Sequence, residues 1–203
     1  MSLHGVDLRP AFVDLFTKEL GLSPSEFDMV MAGFHVKHVP KRRFHLQAGD
    51  VNIDKAYVNK GCSRSFTLDA RGKEHVLFFG FEDWWLADYE SYTSGCPAKQ
   101  SIQAIEDLEL LCIDRRDWDG LSERIPALGR WYEVRQMKMV FRMIDRLIEV
   151  KSCTPEERLV ALVKQRSDIF QRVALQDIAS YLDIEPPSLS RMRRRVLAAQ
   201  RGS

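Results

Sequence analysis

The sequence predicts an α+β fold in three parts: an N-terminal β-roll of the double-stranded, jelly-roll-like type, one long helix, and a C-terminal helix–turn–helix. Three observations lead to this prediction. Short β-rich runs fill residues 36–113, a heptad-spaced segment follows Pro126, and two short amphipathic segments lie near residue 185. We place the boundaries of the three parts at residues 1–124, 125–151 and 152–203.

Residues 11–35 predict helices. Apolar residues recur at spacings of three and four between residues 11 and 35. Ser23 is a candidate N-cap, and Pro24 suits the first position of a helix. We therefore expect a second helix to begin there.

Seven short runs then predict the strands of a sandwich or barrel, because they are rich in β-branched and aromatic residues and are separated by turn signals. The runs are HVKHV, RRFHLQAGD, KAYVNKG, SRSFTLD, KEHVLFFGF, QSIQAIED and LELLCID. Gly72 stands where a tight hairpin needs a positive φ. Residues 114–124 predict a loop or a short helix.

A long helical pattern runs from Pro126 to about Val150 and predicts a dimer interface. Its apolar residues have the three-and-four spacing of a coiled-coil seam. That seam consists of Val134, Met137, Phe141, Ile144 and Ile148. A second row consists of Val140, Met143, Leu147 and Val150. One row is expected to pack on the helix's own domain and the other on a partner helix; the alternative is a helix buried on two sides of a monomer.

The C-terminal segment begins with a helix for which Thr154 is the candidate N-cap, followed by IFQRVAL, which predicts a short strand. The stretch LQDIASYLDIEPPSLSRMRRRV then predicts two helices joined by a tight turn. Asp183 tolerates the left-handed backbone that the turn requires, and Ile184 is expected to fill the gap between the helices. The facing apolar residues are Ile178, Ala179, Leu182, Leu189 and Met192.

The outer face of the second helix has the chemistry of a reader of double-stranded DNA. Arg191 can bond a guanine edge bidentately, and Ser188 and Ser190 are short enough to let the helix enter the major groove. Pro187 stands beside them, and we expect Arg193, Arg194 and Arg195 to contact phosphates. The alternative is a capped helical hairpin with solvated arginines.

Charge and composition are consistent with this interpretation. Residues 151–203 hold ten Lys and Arg against six Asp and Glu, a net charge of +4, whereas the preceding residues carry −3. We see neither a membrane span nor a signal peptide and expect a cytoplasmic protein. Cys62, Cys96, Cys112 and Cys153 form no CxxC pair, so we expect reduced thiols and no iron–sulfur or zinc site.

The chain resembles transcription regulators of the CRP/FNR superfamily, of the kind common in Bacteroidetes, over nearly its whole length. Residues 46–79 resemble the first half of the cyclic-nucleotide-binding-type β-roll, residues 81–113 its phosphate-cassette region and last strands, and residues 155–194 a winged helix–turn–helix. The resemblance implies a sensor domain, a homodimer, DNA binding and no enzymatic activity, and it makes RNA polymerase a candidate partner. Two polar base readers of the family are replaced here by Pro186 and Pro187, so the target sequence should differ.

The resemblance also directs attention to a candidate effector pocket. It consists of Glu82, Asp83, Trp84, Trp85 and Lys99. The family's cyclic-nucleotide binders hold the phosphate with an arginine, but the nearest cation here is Lys99. We therefore expect an unknown effector or none, and no cofactor. A cyclic-nucleotide-responsive regulator that uses Lys99 is the alternative, and a ligand-binding or interaction module that does not bind DNA is another.

The spacing of the histidines does not indicate a metal site or a haem site. His35, His38 and His45 fit no oxygenase-type ligand signature, and His75 is interpreted as an ordinary strand histidine rather than a haem ligand. We therefore predict no metal site. An enzyme on the β-roll lacks a recognisable nucleophile–base set.

Overall fold

The computed structural model describes residues 2–201, and the side chains of residues 3–195 within that range. Residue 1 of the predicted first part and residues 202–203 of the predicted last part lie outside this range. At the N-terminus, β1 (Ser2–Leu3) and β2 (Val6–Asp7) form a small antiparallel pair. Helix α1 (Pro10–Asp14) then runs into a π-helical turn, Leu15–Glu19, and α2 spans Pro24–Ala32.

Helix α2 begins where the sequence predicts it. The Ser23 hydroxyl accepts the backbone N–H of Glu26, and the Glu26 carboxylate accepts the backbone N–H of Ser23 at 2.8 Å. This reciprocal capping box satisfies two backbone donors that the start of a helix would otherwise leave unpaired. The helix packs through Phe27 into an aromatic core that it shares with Phe12 and Trp85.

All seven predicted strand runs are strands, arranged as two antiparallel four-stranded sheets of the β-roll. One sheet has the order β3 (His35–Val39), β10 (Leu108–Asp114), β5 (Asp54–Lys60) and β8 (Trp85–Leu86). The other has the order β4 (Phe44–Leu46), β9 (Ser101–Ala104), β6 (Ser63–Leu68) and β7 (Glu74–Gly80). A short helix, α3 (Tyr89–Ser94), connects β8 to β9. Sequence reasoning missed β8, whose two residues are too short to show a period.

The central strand β10 contributes side chains to two apolar cores, one on each of its faces. Leu110 and Cys112 lie in the core between the two sheets, whereas Leu111 and Ile113 pack on the N-terminal helices. Successive side chains of a strand point to opposite faces, so a strand buried on both faces has the continuous apolar run seen here. The predicted hairpin between β6 and β7 has Gly72 at φ +78°.

Helix α4 (Arg115–Arg124) leads into α5 (Pro126–Ser152), the long helix that the sequence predicts. The start of α5 is anchored in the aromatic core by Leu128, which is fully buried. Further along, both apolar rows are exposed, with side chains between 46% and 58% accessible from Val134 to Ile148. The expectation that one row packs on its own domain is therefore wrong.

The reason for this difference lies in which side of α5 meets the rest of the chain. Met139, Arg142 and Arg146 face Trp84 and Tyr181, so the mainly polar side of the helix lies against its own domain. The apolar side lies opposite, because residues spaced by three and four share one face of a helix. The structure thus presents one broad apolar stripe to its surroundings.

The C-terminal part is helical: α6 (Pro155–Gln165), α7 (Ile169–Arg172), α8 (Leu175–Tyr181) and α9 (Pro186–Arg201). Thr154 caps α6 through a second capping box with Glu157. The predicted strand IFQRVAL is wrong, because Ile169 and Val173 both enter the core, four residues apart, as in a helical turn. Residues 115–201 contain no strand, so the helix–turn–helix has no wing in this part of the chain.

The β-roll and the C-terminal helices share one apolar core. Phe66, Val76 and Phe79 of the roll belong to the same buried cluster as Leu159 and Ile178. Helix α8 lies directly against strand β7. Within residues 2–201, no helix combines the length and the apolar character needed to cross a membrane.

Candidate DNA-binding face and the contacts that position it

Helices α8 and α9 form the predicted helix–turn–helix, and its turn has the expected geometry. Asp183 adopts φ +55°, the left-handed conformation, and the N–H of Ile184 donates to the carbonyl of Ala179 at 3.0 Å. Ala179, Leu182 and Leu189 are fully buried where the helices meet. Because Ala179 is small, the two helices can approach closely at this point.

A buried arginine that sequence reasoning missed secures the far side of this turn. Arg158 is only 7% exposed, and its guanidinium donates to the carbonyls of Leu182, Val150 and Cys153 at 2.8, 3.2 and 3.0 Å. These carbonyls lie at the ends of α8 and α5, where helices leave acceptors unpaired. Arg158 therefore ties the long helix to the helix–turn–helix.

The outer face of α9 presents the residues predicted to meet DNA. Pro187, Arg191 and Arg194 are exposed, and Ser188 and Ser190 are half-buried beside them. They lie opposite the buried residues of α9 because 3.6 residues complete one turn. Their role in reading DNA stays a prediction.

The three consecutive arginines differ in their surroundings. Arg193 is half-buried, with its guanidinium 4.5 Å from the ring centroid of Phe170. Arg195 lies 3.2 Å from the carboxylate of Glu156, in a pair with both side chains about half exposed. An exposed pair of this kind contributes little to stability, so Arg195 can exchange Glu156 for a phosphate at low cost. Arg194 is exposed on the outer face itself.

An ion-pair cluster fixes the C-terminal helices to the roll. Arg172 at the end of α7 donates to Glu82 at 2.7 Å and to Glu106 at 2.6 Å. The hydrogen bonds with Glu106 and Glu82 raise the pKa of Arg172. Burial acts against the charged form of Glu82, but the hydrogen bond and charge of Arg172 together with backbone hydrogen bonds outweigh this and lower the pKa of the carboxyl.

A second set of contacts holds α8 against the roll. Arg64 of β6 lies 2.6 Å from Asp177 and 2.7 Å from Glu74, and its side chain is 11% exposed. Desolvation raises the pKa of Asp177 although Arg64 opposes the shift. The N–H of Val76 donates to the hydroxyl of Ser180 at 2.9 Å. The orientation of the helix–turn–helix is thus set by strands β6 and β7.

The structure brings only some of the predicted effector-pocket residues together. Glu82 belongs to the ion-pair cluster, and Asp83 pairs with Arg9 at 2.6 Å. Trp85 fills the N-terminal aromatic core. The Lys99 ammonium is exposed and donates to Glu90 at 2.6 Å. Asp83 and Trp85 line one cleft of about 240 Å³ beside Tyr57. Glu82 and Lys99 make their contacts elsewhere, and a role of the five residues in binding an effector stays a prediction.

 
Trp84 lines a second cleft, between the β-roll and the helices. The indole of Trp84 lies beneath the guanidinium of Arg142, which is 5.3 Å from the ring centroid. The cleft has a volume of about 370 Å³ and separates β7 from α5 and α8. Arg146 and Tyr181 form its far wall, where the Arg146 guanidinium stacks on the Tyr181 ring at 4.1 Å. A small molecule in this cleft would touch the roll, the long helix and the helix–turn–helix together.

A β-roll, a long helix with an apolar stripe and a helix–turn–helix follow one another in this order along the chain, and solved structures share this arrangement. FixK2 from Bradyrhizobium japonicum superposes with a TM-score of 0.71 at 15% identity, covering 82% of this chain and 86% of that one. CLP, a c-di-GMP-responsive global regulator from Xanthomonas campestris, superposes with a TM-score of 0.66 at 15% identity, covering 88% and 93%. A proposed CRP/FNR-family transcriptional regulator from Eubacterium rectale superposes with a TM-score of 0.67 at 15% identity, covering 94% and 88%.

The chain therefore has the fold of the CRP/FNR-type transcription regulators, as the sequence resemblance predicts. No protein-family model matches the chain, and no curated protein matches it. At identities of 15% the likeness is one of fold, and the function has to be argued from the residues of this chain.

Proposed function

We propose that this protein is a homodimeric transcription regulator that binds double-stranded DNA in a sequence-specific manner through helix α9. The observation that carries the proposal is the helix–turn–helix itself: Asp183 closes the turn in the left-handed conformation, and α9 presents Arg191 and Arg194 outward. In this motif the first residues of the second helix reach base edges in the major groove. The likeness to solved regulators, one of them described as acting on gene expression, supports the same conclusion.

Dimerisation through α5 is the second part of the proposal. Eight apolar side chains from Val134 to Ile148 are between 46% and 58% exposed along one face of this helix. A monomer that left this stripe in water would carry an apolar patch of the kind that marks protein–protein contacts. The heptad spacing fits a second copy of the same helix, because knobs from one helix then fill holes in the other.

The two helix–turn–helix units of a dimer also suit the recognition of DNA. A two-fold dimer would present two α9 helices to half-sites separated by about one turn of the double helix, roughly 34–36 Å. RNA polymerase and a small-molecule effector are further partners that we propose without assigning residues to the polymerase. The cleft beside Trp84 is the proposed place for an effector, since its walls come from all three parts of the chain.

Cyclic-nucleotide binding at Lys99 receives no support from the contacts of that residue. Its ammonium is exposed and paired with Glu90, and its backbone N–H donates to Asp88 at 3.1 Å. A phosphate at Lys99 would have to displace Glu90. We propose a binding protein rather than an enzyme, because the charged clusters around Arg172 and Arg64 are internally paired and hold the helices to the roll.

The test is selection of bound fragments from random double-stranded DNA by the full chain, followed by gel-shift titration of the enriched sequence. Enrichment of a two-fold symmetric site, bound by a dimer, is expected. Recovery of unenriched DNA at low and at physiological salt would contradict the proposal. Equal binding of all DNA sequences would also contradict it, because such binding needs only the attraction between arginines and phosphates and no contact with the bases.

A further inference from the structure

Four side chains with metal-binding atoms meet at one end of the β-roll. His35 of β3, Asp54 of β5 and Cys112 of β10 place one ligand atom each within 4.8 Å of one another. The Nε2 atom of His45, on β4, lies 3.4 Å from Oδ1 of Asp54. An imidazole, a carboxylate and a thiol from three strands therefore form a cluster, and a second imidazole from a fourth strand adjoins it beside Asp54.

Strand register explains why these residues meet although they are spread over 78 positions of the sequence, from His35 to Cys112. Cys112 is paired with His35 on one side and with Ala56 on the other. Asp54 lies two residues before Ala56, so its side chain shares the face of the sheet that Cys112 occupies.

His45 comes from the opposite sheet. The pairing of β4 with β9 shifts by one residue between Phe44 and Leu46, which marks a β-bulge at His45. Bulges re-aim a side chain that regular alternation would send to the other face. As a result both His45 and Leu46 are buried, and the His45 ring is directed at Asp54.

The buried ring of His45 has one close polar neighbour, the Asp54 carboxylate, at 3.4 Å from Nε2. The residue is 9% exposed, its side chain is 1% exposed, and neither ring nitrogen has a hydrogen-bond partner in the described part of the chain. Leaving a buried polar group without a partner costs free energy, so such groups are rare unless something satisfies them. A metal ion bound to Nε2 would give this nitrogen a partner.

We propose that His35, His45, Asp54 and Cys112 bind a divalent transition-metal ion of the zinc class. Nitrogen, oxygen and sulfur donors in one set suit Zn²⁺, which takes four such ligands in a tetrahedron. With bonds of about 2.0–2.3 Å, the ligand atoms of a tetrahedral site lie roughly 3.3–3.8 Å apart. The His35 side chain is exposed and can move inward to close the remaining distance.

The charges of the site balance when the metal binds. Cys112 would bind the ion through its thiolate sulfur, the form in which cysteine ligates metals. Binding of the metal forms a metal–sulfur bond, and the thiol proton leaves to solvent. The resulting thiolate and the Asp54 carboxylate together neutralise the two positive charges of the ion. Lys37 is half-buried beside the site, and its ammonium donates to the backbone carbonyl of His45 at 3.4 Å.

Such a site would join the two sheets of the roll. His45 is the ligand from the β4 sheet, and the other three ligands come from the β3–β10–β5 sheet. Metal binding should therefore stabilise the folded β-roll, since the unfolded chain does not preform the site. The proposal does not depend on DNA binding, and the two can fail separately.

The experiment is a Co²⁺ titration of the full chain after removal of metals with a chelator. Wild-type protein should bind one Co²⁺ per chain, with a sulfur-to-cobalt charge-transfer band in the near ultraviolet and strong visible bands of a four-coordinate ion. Stoichiometric Zn²⁺ should abolish these bands. A wild-type spectrum with neither the charge-transfer band nor the strong visible bands would overturn the proposal.

Variants separate this site from adventitious binding. Cys112→Ser should remove the charge-transfer band. His35→Ala, at an exposed position that tolerates substitution, should weaken Co²⁺ binding by more than about 100-fold, since losing even a group that only orients a ligand costs about 10–100-fold. His38→Ala is the matched control, because this exposed histidine lies on the same strand with its side chain on the opposite face. Equal affinity in His35→Ala and His38→Ala would overturn the proposal even if Cys112→Ser failed to fold.

Discussion

The guanidinium of Arg172 bridges the carboxylates of Glu82 and Glu106, at 2.7 and 2.6 Å, and so joins α7 to two connections of the β-roll. Glu82 precedes Arg172 by 90 positions. Their hydrogen bonds form only when the C-terminal helices are docked on the roll. Loss of the Arg172–Glu82 hydrogen bonds is therefore expected to weaken the docking that orients α8 and α9.

Arg172→Ala should destabilise the docked arrangement. The Arg172 side chain is 18% exposed and makes charge-assisted hydrogen bonds, so we expect a loss of about 2–3 kcal/mol in the free energy of unfolding. Urea unfolding followed by circular dichroism measures it. Lys18→Ala is the control, because the exposed Lys18–Asp14 pair should contribute no more than about 0.5 kcal/mol. Equal losses in the two variants would contradict a structural role of Arg172.

This contribution should also depend on pH. The pKa of Glu82 is lowered in the folded protein, so its stabilisation is present above the pKa of the unfolded chain and is lost as the pH falls through the lowered value. The difference in stability between wild type and Arg172→Ala should therefore shrink in acid. A difference that is constant from neutral to acidic pH would show that Glu82 does not respond to Arg172.

A buried lysine gives a pH dependence at the opposite end of the scale. Lys55 is 2% exposed, its ammonium has no hydrogen-bond partner among the described residues, and it lies 3.8 Å from the ring centroid of Trp118. Burial lowers its pKa to about 6. Aromatic faces attract the charged form by about 2 kcal/mol, less than the several kcal/mol that desolvation of an ammonium costs.

The folded chain therefore binds fewer protons than the unfolded chain between about pH 6 and the unfolded pKa of lysine. Stability should rise with pH across this window, and Lys55→Met should remove up to about 1.4 kcal/mol of that rise per pH unit. Urea unfolding at pH 7 and pH 9 measures the change. Lys60→Met, at the exposed end of the same strand, should leave the slope unchanged. A slope unaffected by Lys55→Met would show that Lys55 is charged when buried.

The apolar stripe of α5 predicts the oligomeric state. Phe141→Glu, in the middle of the stripe, should convert dimers to monomers, because it places charge in an interface of helices. Light scattering coupled to size-exclusion chromatography measures the mass. Leu68→Glu is the matched control, an exposed apolar residue of similar accessibility on β6. A wild-type chain that is monomeric at all concentrations would contradict the proposed dimer.

The face of α9 predicts how single arginines act on DNA. Arg191→Ala should cost about 1–3 kcal/mol on the selected site and relax the preference at one base position, as expected for a base contact. Arg195→Ala should weaken binding to all sequences and lower the salt slope by about 1, as expected for a phosphate contact. Arg116→Ala on α4 removes the same charge from an exposed position outside the helix–turn–helix. Loss of binding in Arg116→Ala equal to that in Arg191→Ala would contradict the assigned face.

The order of the three parts, and the helix caps and turns within them, could be predicted from the sequence. Ser23 and Thr154 cap helices, and Asp183 adopts the left-handed turn, because each depends on backbone groups only a few residues away. Strand and helix periods are equally local, so the seven strand runs and the long helix were predicted correctly. The strand predicted at residues 169–175 is wrong because the core that Ile169 and Val173 enter is built from distant residues.

Only the tertiary structure decided which side chains meet. The sequence predicts Glu82 as a residue of the effector pocket, whereas in the structure its partner is Arg172 of the C-terminal helices. His45 and Cys112 show no ligand spacing, yet strand register and a bulge bring them to Asp54. The physical reason is that periods and caps depend on neighbours along the chain, whereas a site depends on the register of strands and the docking of helices, which are set by the packing of the whole fold.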